Sequence, residues 1–107
     1  MALTRAFKAT VLTRVKNDPK FAKALLDEAA TLFLNGEPDT AKSILRDLVN
    51  ATIGFKQLAQ SVEKPSKSVH RMLSPTGNPT MTNLAAIFAT LKKSMKVKIQ
   101  VHAVPAA

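Results

Sequence analysis

Apolar residues recur with helical spacing in six successive stretches of this chain and switch to strict alternation only near its end. Leu3, Phe7, Val11 and Val15 repeat every four residues and predict a helix over residues 3–16. Asn17-Asp18-Pro19 then breaks and restarts the chain, with Asp18 suited to an N-cap and Pro19 to a first helical position. The next helix is expected to run to about Asn35, with Phe21, Leu25, Ala29 and Leu32 on its apolar face and Asn35-Gly36 as its stop. Glu37-Pro38-Asp39 opens a third helix whose buried stripe is Ala41, Ile44, Leu45, Leu48 and Val49. Ile53-Gly54 ends it.

Residues 54–73, GFKQLAQSVEKPSKSVHRML, read as two short amphipathic helices joined by a tight turn. Phe55, Leu58, Ala59 and Val62 form the inward face of the first, and Val69, Met72 and Leu73 that of the second. Pro65 biases Lys64 away from the α region, and Ser66 is a good N-cap for the second helix. Two such helices joined by about 3–4 residues make a helix-turn-helix unit, whose second helix enters a DNA major groove. With its apolar residues turned inward, that helix presents Ser66, Lys67, His70 and Arg71, all able to hydrogen-bond and none acidic. The competing interpretation is an ordinary solvated corner between two helices.

After a Ser74–Pro79 loop, Thr80 or Thr82 caps a helix carrying Leu84, Ala85, Ile87, Phe88, Leu91 and Met95, apolar enough to be the central core helix. Residues 96–102, KVKIQVH, then alternate with period two, which predicts a half-buried strand. A lone strand in a helical chain leaves its backbone N–H and C=O groups without partners. Pairing Val97, Ile99 and Val101 with the same strand of a second copy satisfies them and predicts a two-fold homodimer. A frayed tail is the alternative. The fold class expected is therefore mainly α, with an N-terminal helical extension over 1–36 and a helix-turn-helix domain with a C-terminal β-strand over 37–107.

Composition narrows the chemistry. At 107 residues the chain suits one modest core, and 46% hydrophobic residues argue against general disorder. The absence of cysteine excludes disulfides and thiolate metal sites and fits a reducing cytoplasm, the expected location. The first apolar residues are interrupted by Arg5 and Lys8, unlike a signal peptide, and no apolar run is long enough to span a membrane.

The net charge of +9 is unevenly spread. Residues 1–16 hold four bases and no acid; residues 17–63 hold five bases and all seven acids; everything after Glu63 carries seven bases and no acid. The basic excess coincides with the second helix of the pair and the residues C-terminal to it, which points to a polyanion, most simply nucleic acid. An anionic membrane surface fits less well, since no aromatic-rich interfacial helix accompanies the charge.

No catalytic constellation is visible. His70 and His102 have no cysteine or carboxylate at metal-ligand spacing, and there is no glycine-rich phosphate loop. Neither an enzyme, a metal site nor a cofactor is expected.

Leu58-Ala59, Val62, Val69 and Met72 resemble the Cro/repressor-type (Xre) helix-turn-helix family, with Ala59 similar to its small residue where the two helices cross. Residues 72–80, MLSPTGNPT, resemble the loop of HigA-like addiction-module antidote proteins. The resemblance covers about residues 37–103, and 1–36 more weakly. Two positions depart from the pattern. The family usually has glycine where Glu63 stands, because the turn there is left-handed, and a non-glycine residue in that conformation costs about 1 kcal/mol. The next position is usually apolar but here is Lys64, which can lay only its alkyl stem on the core.

The resemblance implies a lambda-repressor-like fold and base reading by Ser66, Lys67 and Arg71; lesser or backbone contacts are expected from Lys56, Gln57, Lys64, Ser68, His70, Asn78 and Thr80, where basic side chains and helix N-termini attract phosphates. It further implies an antitoxin that neutralises a RelE/ParE-like ribonuclease toxin and represses the shared operon. Toxins of that class tend to be basic, so a complex would have to use Asp27, Glu28, Glu37, Asp39 and Asp47. The alternatives are a charge-driven nucleoid binder, a stand-alone phage-type repressor, and a protein-interaction module built on the N-terminal helical pair.

Overall fold

Local capping chemistry sets most of the helix boundaries. The computed structural model describes residues 5–106, with side chains from Thr10 onward; Leu3 and the Phe7 side chain lie outside the described residues. Six helices succeed one another: α1 (Arg5–Asn17), α2 (Pro19–Leu34), α3 (Pro38–Ala51), α4 (Gly54–Val62), α5 (Ser66–Met72) and α6 (Met81–Met95). Asp18 caps α2 as expected, its Oδ1 accepting from the Lys20 and Phe21 amides at 3.1 and 3.3 Å, with Pro19 in the first turn. Asn35 is the C-cap of α2, and Gly36 comes next at φ 82°, a conformation that glycine alone adopts without a Cβ penalty. Thr80, rather than Thr82, caps α6 by accepting from the Asn83 amide at 3.1 Å.

The central helix is α3, not α6. It packs against α1, α2 and α4 and buries Ala41, Lys42, Leu45, Leu48, Val49 and Ala51, whereas α6 fully buries only Ile87 and Leu91. Leu84, Phe88 and Met95 are half-buried and Ala85 is exposed, because α6 packs against α4 and leaves part of its apolar arc uncovered. One core cluster runs from Val15, Ala22, Leu26 and Ala29 through Leu45 and Leu48 to Leu58, Val69, Ile87 and Leu91. Residues of the expected N-terminal extension therefore share their core with the rest of the chain. On α2 the fully buried face is Ala22, Leu26 and Ala29, one residue round from the expected stripe. Phe21 and Leu25 flank it, since α2 must face α1 and α3 at once. An edge-to-face pair of Phe33 and Phe88, centroids 5.9 Å apart, ties α2 to α6.

The expected C-terminal strand does not form among the described residues. Val97 donates to the Lys92 carbonyl at 3.0 Å, closing α6 behind a left-handed Lys96, and residues 98–106 have no regular secondary structure. Burial does alternate at first: Val97 and Ile99 pack on the core while Lys98 and Gln100 face out, but Val101 is exposed. A strand is defined by its hydrogen-bonded ladder, and no described segment lies alongside to supply one.

Candidate nucleic-acid interface

Two short helices and the turn between them build the site. Phe55, Leu58 and Ala59 bury the inner face of α4, and its C-cap is Glu63 at φ 56°, ψ 46°, a left-handed residue without glycine's freedom. The Glu63 and Lys64 amides donate to the Gln60 and Ala59 carbonyls at 3.3 and 3.1 Å, which closes a left-handed turn despite the Glu63 side chain. Lys64 remains exposed. Ser66 does not act as the N-cap. Pro65 holds that position at ψ 143°, its carbonyl accepting from the Ser68 and Val69 amides, which makes Ser66 the first residue inside α5.

Val69 and Leu73 are completely buried and Met72 is half-buried, anchoring α5 to the body. The opposite face carries exposed Ser66, Lys67, His70 and Arg71, with Ser68 half-buried at its side. Lys67 and Arg71 are four residues apart, so they project from the same side of the helix. Ion pairs of the described residues join Arg14 to Asp18 and Lys42 to Asp39; neither takes up Lys56, Lys64, Lys67 or Arg71. The His70 ring stacks on Phe55 at 3.9 Å between centroids and 19° between planes, spanning α5 and α4.

Lys56 and Gln57 are exposed in the first turn of α4. Asn78 and Thr80 are exposed ahead of α6; the Thr80 oxygen is engaged as a cap, which leaves its hydroxyl hydrogen free to donate. Between α5 and this loop lies an open hollow of about 310 Å³ lined by Ser68, Arg71, Met72, Thr76, Gly77 and Asn78. The expected base-reading residues and several expected phosphate contacts are thus carried by adjoining elements. Val97, Ile99 and Val101 lie elsewhere: Val97 beside the end of α1, the start of α2 and the end of α3, and Ile99 and Val101 beside the end of α2 and α6. Of the acids expected to meet a basic partner, Asp27, Glu28, Glu37 and Asp39 are exposed and Asp47 is half-buried.

Two cations escaped the sequence reading. Lys42 is only 4% exposed, and its Nζ donates to the Gly77 and Pro75 carbonyls at 2.6 and 3.3 Å. Arg46 donates from Nη1 to the Leu73 carbonyl at 2.6 Å. A signal was present: Lys42, Leu45 and Val49 adopt the i, i+3, i+7 spacing of α3's buried stripe. Among the described residues no group of His, Cys, Asp and Glu could hold a metal ion, and no helix is long and apolar enough to cross a membrane. Comparison with protein-family models, curated proteins and solved structures returns no match, leaving the residues themselves to carry any functional assignment.

Proposed function

We propose that this chain is a sequence-specific DNA-binding transcriptional regulator, a cytoplasmic repressor without enzymatic activity. The observation that carries the reading is the two-faced α5: Val69 and Leu73 wholly buried beneath, Ser66, Lys67 and Arg71 exposed above. Arg and Lys can donate to guanine O6 and N7, and Ser to either kind of base edge. Lys56, Gln57, Lys64, Ser68, Asn78 and Thr80 supply phosphate contacts that orient α5 without reading sequence, and His70, held on Phe55, adds at most a lesser contact.

In this reading the protein acts as a homodimer, joined at least partly through residues 96–103. The support is a segment with no ladder partner among the described residues, lying beside an uncovered apolar hollow of about 250 Å³ lined by Phe33, Leu34, Met81, Leu84, Phe88 and Val101 among others. Two copies would place two α5 helices on successive half-sites. The narrower reading is an antitoxin that represses its own operon and binds a RelE/ParE-like toxin through its exposed acids. It rests on the resemblance of residues 72–80.

Selection of duplexes from a random pool, then affinities for the selected and a random duplex at one salt concentration, tests the main reading. A preference of about a thousandfold or more is expected of a specific binder. Equal affinities would replace this reading with a charge-driven nucleoid binder, which the net charge of +9 would serve.

A further inference from the structure

We infer that Lys42 and Arg46 are positioning residues that set the pose of α5 and of the loop behind it, and through them the aim of Arg71. The inference rests on the DNA-binding reading and extends it to two side chains on a helix outside the binding face.

Lys42 and Arg46 lie one turn apart on α3 and reach into the same stretch of chain. Arg46 takes the carbonyl of Leu73, the C-cap of α5. Leu73 is not left-handed, at φ −98° and ψ 7°, so α5 ends without a left-handed closing turn. The last carbonyls of a helix have no partner within it and need one from outside. A guanidinium from α3 supplies it. Lys42 then gathers the Pro75 and Gly77 carbonyls, holding the loop after α5 against α3.

Burying an ammonium is costly unless acceptors surround it. The acid beside it, Asp39, is 3.6 Å from Nζ but its side chain is 88% exposed, so water screens that pair. The loop carbonyls are the partners that justify the burial. The loop is close-fitting at this point: a Cβ on Gly77 would overlap the Arg71 and Met72 carbonyls. Arg71's carbonyl is itself bound by the Ser74 amide and hydroxyl at 3.1 and 2.7 Å. Displacing the loop therefore displaces the backbone from which Arg71 projects.

The test uses the full chain with Lys42→Met, and Arg46→Gln as a second variant should the first not fold. Measurements are the exchange rate of the Gly77 amide, which is bonded to Ser74, and affinities for a selected and a random duplex at fixed salt, well below the melting temperature. The expected result is a faster-exchanging Gly77 amide and a cognate affinity lowered roughly tenfold, about the worth of a misaligned bidentate contact, with random-duplex binding kept within about twofold. A role in stability alone would lower the melting temperature while leaving the cognate-to-random ratio and the exchange rate at wild-type values, and that result overturns the proposal. Wild-type protein with no sequence preference overturns the DNA reading and this proposal together. A wild-type preference that both variants retain overturns the positioning role alone.

Discussion

Replacing Glu63 with glycine should stabilise the protein, although it removes a whole side chain. Glu63 ends α4 at φ 56°, ψ 46°, where an L-residue's Cβ crowds the next carbonyl at a cost of roughly 1–2 kcal/mol. Glycine removes that penalty but gives back about 0.5–1 kcal/mol, because the unfolded chain becomes freer. The side chain is exposed and enters neither of the ion pairs described, so little else is lost. The net expectation is a gain of about 0.5–1 kcal/mol, which for a domain of this size raises the melting temperature by roughly 2–8 °C. Calorimetry or circular-dichroism melts measure this. Glu63→Ala is the decisive control, since it removes the same charge and keeps the strained backbone. An alanine variant as stable as the glycine variant would mean that charge, rather than conformation, is responsible. A destabilised glycine variant would mean that the strain of the left-handed turn is smaller than the freedom glycine gives the unfolded chain.

Arg71→Ala should weaken binding to the cognate duplex roughly tenfold or more and leave a random duplex nearly unchanged; equal losses at fixed salt would make Arg71 a phosphate contact. Lys56→Ala should weaken all duplexes alike and lower the slope of log affinity against log salt by about one; a loss confined to one sequence would contradict its assignment to the backbone. Val101, 63% exposed beside the apolar hollow, should tolerate Val101→Asp in a folded monomer while the dimer dissociates. Sedimentation of both proteins at tens of micromolar checks this, and a wild-type chain that is already monomeric there removes the dimer from the proposal.

Sequence by itself determined the features whose energetics are local. Asp18 and Pro19 start α2, and Asn35 and Gly36 stop it, because each acts on backbone groups within four residues of itself; for α6 the residues offered Thr80 or Thr82, and only the structure chose Thr80. The paired helices were legible for the same reason, since Leu58, Ala59, Val69 and Leu73 need only helical spacing to declare one inward face. The exposed Ser66, Lys67 and Arg71 are the complement of that face.

Tertiary structure decided whatever depends on which element lies opposite. Helix spacing marks an apolar arc but not the arc's centre, so the stripe of α2 moved by one residue when α1 and α3 divided it between them. α3 became the central helix because three others pack on it, a matter of connectivity rather than apolar content. His70 stacks on a phenylalanine fifteen positions earlier, and Lys42 is buried by carbonyls more than thirty residues ahead. A buried lysine looks like an error in the pattern until its acceptors arrive from another part of the chain. The tail from 97 onward is the opposite case. Its alternation is written in the residues, but a strand exists only when a second strand takes its hydrogen bonds, and none of the described segments does.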